Sequence, residues 1–180
     1  LIDYMASNGT AASPLVLTLL YTLRRLYGGG AARIGRQVTR YLNALEKFVE
    51  LYGHGPVAVG RAPARINILG EHVDYVRYLP TEVLPFASRE HDMLIFFRPT
   101  DKPIIQGSST LPSAENIWFD LSEGPQNKAD TPDTLDEKWL DYLREIGAPK
   151  KHWGNYVKAS IFHFMTQHPD ITHGFDFLLD

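Results

Sequence analysis

The sequence predicts a mixed α/β (α+β) domain. Three observations carry this: a long stretch with one apolar helical face, several β-branched or aromatic runs, and a return to helical spacing before a final apolar run. The order is helix, strands, helix, strand. At 180 residues, with 44% hydrophobic and 12% aromatic side chains, the chain is long enough for one domain with a real core.

The first apolar stretch, "PLVLTLLYTLRRLYGGG" (14–30), is broken at Arg24 and Arg25. It falls short of the ~20 apolar residues a membrane span needs. Its basic pair follows the apolar run, the reverse of a secretory signal. It predicts a buried or interface helix ended by Gly28-Gly29-Gly30. Residues 34–52 place Ile34, Val38, Tyr41, Leu42, Leu45, Phe48, Val49 and Tyr52 at helical spacing, with Gly53, Gly55 and Pro56 as the stop.

Residues 56–60 and 64–69 carry Val57, Val59, Ile66 and Ile68 and predict two strands. "DMLIFFRP" (92–99) reads as a strand buried on both faces, and "NIWFDL" (116–121) as a further one. Polar residues 123–137, with Pro125 and Pro132, read as a surface loop. Residues 152–169 return to helical spacing through Trp153, Tyr156, Val157, Ile161, Phe164 and Met165. "HGFDFLLD" (173–180) predicts a strand.

The formal charge of -3 makes no electrostatic case for nucleic acid or an anionic membrane. The absence of cysteine removes disulfides, thiolate metal sites and a cysteine nucleophile, and it fits a reducing, cytoplasmic setting. A start at Leu1 and an apolar end suggest a piece of a longer protein.

The densest chemistry lies in "ARINILGEHVDY" (64–75). Alternation puts Arg65 and Asn67 on one side of a strand and Ile66 and Ile68 on the other. Gly70 permits a sharp turn or a close approach. Glu71, His72, Asp74 and Tyr75 then offer acceptors beside a switchable donor, which suits a ligand rich in hydroxyl groups. A solvated polar turn is the plain alternative; a metal on Glu71, His72 and Asp74 is not expected, because residues one and three apart converge on one ion only in an irregular loop. A second Glu-His-Asp at 90–92 precedes a predicted strand, where a structural role fits better.

The stretch "APARINILGEHVDY" resembles the first signature of galactokinases, within the GHMP small-molecule kinases. It matches at Ala62, Pro63, Arg65, Asn67, Gly70, Glu71, His72, Asp74 and Tyr75. Leu84-Pro85 resembles the family's next strand start, "WGNYVK" (153–158) its Trp-x-Asn-Tyr-Val-Lys helix, and "GFDFLL" the strand before its second motif. The resemblance covers roughly residues 40–180 and leaves residues 1–35 as a helical N-terminal extension; 36–180 would be part of a GHMP N-terminal domain with a mixed sheet and packed helices. Ala64 stands where the family has Gly, and "VRYLPTEV" (76–83) is longer than the family's link and lacks its glycine.

The resemblance implies transfer of the γ-phosphoryl group of ATP to a sugar, galactose first, with Mg²⁺ bound mainly through the phosphates. It implies that Glu71, His72, Asp74 and Tyr75 hold the sugar. Arg65 would stabilise the transition state beside a catalytic aspartate beyond Asp180. Trp153 and Tyr156 would line the nucleotide side, although helix core is an equal reading of both. The family's phosphate loop also lies beyond residue 180, so these residues alone are expected to be inactive and to need the remainder of the protein as a partner. A sugar- and ATP-sensing protein without turnover, or a kinase for arabinose, fucose or N-acetylgalactosamine, are the alternatives.

Overall fold

The computed structural model describes residues 14–70, 82–124, 132–147, 150–168 and 170–180. Its elements are α1 (Pro14–Tyr27), α2 (Ala31–Tyr52), β1 (Ala58–Leu69), β2 (Leu84–Pro99), β3 (Ile104–Ser109), β4 (Ile117–Asp120), α3 (Pro132–Ile146), α4 (Gly154–Gln167) and β5 (Phe175–Leu179). A 3₁₀ turn, Leu121–Glu123, follows β4. The architecture is mixed α/β as expected, with a sheet ordered β1-β2-β5-β3-β4. The chain divides into two compact units, residues 1–51 with 60–94 and residues 52–59 with 95–180.

In the first unit, α1 ends as the sequence predicts. Gly28 takes a positive φ of 81° and its N–H bonds the carbonyl of Arg24 at 3.0 Å. Leu23 and Tyr27 of α1 pack on Ile34 and Val38 of α2, with Leu19, Leu20, Tyr41 and Leu42 around them. The buried stripe of α2 is narrower than the predicted face: Ala44 and Phe48 are buried, whereas Leu45 is 37% exposed. The two strands expected at 56–60 and 64–69 are one, β1, running through Pro63. Proline removes one ladder donor, which an edge strand tolerates, and β1 lies at the edge of the sheet. Strand β2 begins at Leu84, eight residues before the "DMLIFFRP" run.

In the second unit, the end of β2 pairs antiparallel with β5, from Ile95 opposite Leu179 to Pro99 opposite Phe175. Strand β3 lies parallel to β5 and antiparallel to β4. The core gathers Ile105, Ile117, Phe119, Leu121, Phe162 and Phe177 between sheet and helices. Strand β3 was not predicted, because "IIQGSS" is short and half polar. Its place between β5 and β4 explains the composition. A side chain at Gly107 would enter the ring of Phe177, and the buried Ser108 hydroxyl bonds the Tyr52 hydroxyl at 3.0 Å. The C-terminus of α2 is closed by Arg98, which donates to the carbonyls of Tyr52, Gly53 and His54. The predicted loop 123–137 needs correction: helix α3 already starts at Pro132, since proline is well placed in a first helical turn, where its missing N–H costs nothing.

Candidate functional site

Strand β1 delivers Arg65 to an exposed position and then stops at Gly70. Gly70 has a φ of 86°, and a Cβ there would run into the carbonyl of Glu82 and the backbone of Val83. Only glycine meets both demands. The chain at Gly70 therefore passes directly against its own return at Glu82, just before β2. Glu71, His72, Asp74 and Tyr75 lie outside the described residues. Two positions before Leu69, Asn67 points a buried amide oxygen that accepts no hydrogen bond among the described residues. Such an orphan acceptor costs ~1–3 kcal/mol unless a donor reaches it.

The second Glu-His-Asp lies within β2 rather than before it, and its role is structural. The Asp92 side chain is fully buried. Its Oδ1 accepts from Arg40 and its Oδ2 from Arg61. Arg61 also donates to the carbonyls of Ser88 and Arg89 at 3.1 and 3.2 Å, and Arg40 to the carbonyl of Asp92 at 3.2 Å. Burial alone would raise the Asp92 carboxyl; hydrogen bonds from Arg40, Tyr27 and Arg61 outweigh it and hold the group below the usual carboxylate range. The Arg61 guanidinium lies 4.8 Å from the ring centre of Tyr27, which is wholly buried and has its hydroxyl pKa pushed up by that burial. Sequence inspection missed this cluster because Arg40, Arg61 and Asp92 are far apart along the chain.

In the second unit, Trp153 stands at the start of α4. Its indole N–H donates to the Glu115 carbonyl at 2.8 Å, and its ring meets Phe177 edge-on at 6.2 Å. Trp153 thus packs against the core, whereas Tyr156 is 80% exposed. Asn155 and Lys158 of the same motif instead line a groove of about 520 Å³ with Trp139, Tyr142 and Phe162. There Lys158 pairs with Glu123, whose carboxyl burial would raise but Lys158 and the Asp120 N–H hold low. Among the described residues no group of three or more His, Asp or Glu side chains could hold a metal ion, and no helix is long and apolar enough to cross a membrane.

Comparison with known proteins points one way. The galactokinase galactose-binding signature matches residues 46–99, which run from α2 through the motif to the end of β2. The chain is 32% identical over 123 residues to a galactokinase of Dictyostelium discoideum, covering 67% of this chain and 21% of that protein. Against a galactokinase of Bos taurus it is 32% identical over 122 residues, covering 67% and 26%. The crystal structure of Lactococcus lactis galactokinase complexed with galactose superposes with a TM-score of 0.51 at 26% identity, over 77% of this chain and 30% of that one. The chain thus spans only about a fifth to a quarter of the length of these two relatives. In signature, sequence and fold, this chain is galactokinase-like.

Proposed function

We propose that the protein carrying this chain transfers the γ-phosphoryl group of ATP to the anomeric hydroxyl of galactose. The observation that carries the reading is the motif from Ala62 to Tyr75, nine matched positions in order, whose first part, to Leu69, lies on a strand that ends at a turn only glycine can make. Glu71, His72, Asp74 and Tyr75 hold sugar hydroxyls. Paired carboxylates accept from them, and a sugar lacking one hydroxyl leaves a site group unpaired. Arg65 steadies charge on the transferring group and keeps a neighbouring catalytic carboxylate ionised. Its exposure on β1 leaves the guanidinium accessible for that task.

Tyr156 fits the nucleotide side best, because a tyrosine 80% exposed presents a free ring face for stacking. Trp153 is held in place beside it on the same helix. ATP would supply the phosphoryl group, and Mg²⁺ held mainly by its phosphates would offset their charge. Residues 1–35 form an N-terminal extension to this sugar-binding portion, and the cytoplasm is the expected location for an ATP-dependent sugar kinase. Ala64 in place of glycine and the glycine-free 76–83 segment favour, as a second reading, a related sugar such as arabinose, fucose or N-acetylgalactosamine. A phosphoryl-transfer assay of the full protein with ATP, Mg²⁺ and each of these sugars tests both. ADP release with galactose supports the first reading, release with another sugar alone supports the second, and release with none contradicts both.

A further inference from the structure

We propose that Tyr27, Arg40, Arg61 and Asp92 form a register pin for β1 around the buried Asp92 carboxylate, and that this pin positions Arg65; the catalytic part of the proposal rests on the kinase reading above. All four residues and β1 from Gly60 onward belong to the first compact unit.

Hydrophobic burial normally fixes the register of a strand, because a slip of one residue exchanges its two faces. Among the described residues none of the twelve positions of β1 is buried, and Ile66, Ile68 and Leu69 are each about 60% exposed, so side-chain burial within this chain leaves the register of β1 open. Pro63 also supplies no N–H to the ladder. What β1 has instead is Arg61. Its Nε–H meets Asp92, and its outer nitrogen reaches the carbonyls of Ser88 and Arg89. These directional contacts join one side chain of β1 to three positions on β2. Arg40 from α2 holds the other Asp92 oxygen, and the Tyr27 ring from α1 closes over Arg61.

Arg65 stands four residues beyond Arg61, hence on the same face and roughly 13 Å along the strand. A one-residue slip would send it to the opposite face. A buried ion cluster is a poor source of stability compared with well-packed apolar side chains, and register control is the best-attested use of such groups. Tyr27 gives the N-terminal extension a part in the same device. Tyr27, Arg40, Arg61 and Asp92 are positioning residues; none is placed against the substrate.

The test compares three forms of the full protein: wild type, Arg61→Lys, and the triple variant Arg40→Met, Arg61→Met, Asp92→Leu. The triple variant removes the three charges of the cluster together, so it is expected to stay folded, with unchanged amide-exchange protection in α4. We expect amides 64–69 to lose at least tenfold in exchange protection in both variants. In the sugar kinase assay we expect kcat to fall at least tenfold while KM for ATP stays within twofold. Arg61→Lys keeps the charge but loses the Nε–H, so full rescue by lysine would overturn the register role. Unchanged protection at 64–69, wild-type kinetics in the triple variant, or a kcat that merely tracks the folded fraction would overturn it as well. Lost protection in a protein that phosphorylates no sugar even as wild type would uphold the pin and remove the kinase reading, so the two failures are distinguishable.

Discussion

The indole N–H of Trp153 donates to the backbone carbonyl of Glu115 at 2.8 Å, bridging the start of α4 to the residues before β4. Tyr156, three positions on, is 80% exposed. Two aromatic residues of one motif therefore separate into an anchored one and a free one. Tyr156→Ala should leave thermal stability within ~0.5 kcal/mol. If the ring stacks on a nucleotide base, KM for ATP should rise roughly 5- to 150-fold, the equivalent of ~1–3 kcal/mol. Trp153→Ala should also lower the melting temperature, since it removes a core contact and leaves a cavity. Melting curves with ATP titrations of both variants check this; an unchanged KM for ATP in Tyr156→Ala would remove the residue from the nucleotide side.

Arg65→Ala tests the proposed transition-state role. The side chain is exposed, so the fold should not suffer. Loss of a preorganised charge from the transferring group should lower kcat by ~10²–10³, with a smaller change in KM for the sugar. Steady-state kinetics give the split. A rise in KM for the sugar at constant kcat would instead assign Arg65 to ground-state binding.

Gly70→Ala should be costly although it adds one methyl group. The residue has positive φ, and its Cβ would collide with the backbone at Glu82 and Val83. Strain of at least ~2 kcal/mol is expected, or a melting temperature lower by roughly 4–8 °C. Thermal unfolding of the variant measures it, and a wild-type melting curve would contradict the close approach of Gly70 to the start of β2.

The pH dependence of stability should carry the mark of Asp92. Its folded pKa is depressed below the usual value of about 3.9. Such a group contributes its full stabilisation above the unfolded pKa and loses it as the pH falls through the folded one. Stability of the wild type relative to the Arg40→Met, Arg61→Met, Asp92→Leu variant should therefore decline from pH 5 towards about pH 2. Asp120 and Glu123, also held low, are common to both proteins and cancel. Urea unfolding across this range measures the difference, and a constant difference would contradict the ionised, paired state of Asp92.

The elements legible in the sequence were those with a strong period of their own. Helix α2 declared itself through Ile34, Val38 and Phe48, and Gly28 marked the end of α1. Strand β3 was hidden because its neighbours, not its own side chains, bury it: Gly107 and Ser108 are chosen for the closeness of Phe177 and Tyr52. Helix α3 was hidden at its start by polar residues that serve a first helical turn as well as a loop. The motif around Arg65 was legible as a local string, whereas the Arg40–Asp92–Arg61 cluster joins three distant segments that only the fold brings together.

The most direct test of the sugar clamp is Asp74→Asn in the full protein. The substitution keeps size and shape, removes a charge and exchanges one acceptor for a donor. If Asp74 accepts from sugar hydroxyls, a donor then faces a donor, at a cost of ~2–4 kcal/mol, or roughly 30- to 1,000-fold in kcat/KM for galactose. The melting temperature should stay near wild type. That pairing of lost catalysis with retained stability is the predicted result; wild-type kcat/KM for the sugar in a protein that phosphorylates it would contradict the assignment of Glu71, His72 and Asp74 as the clamp.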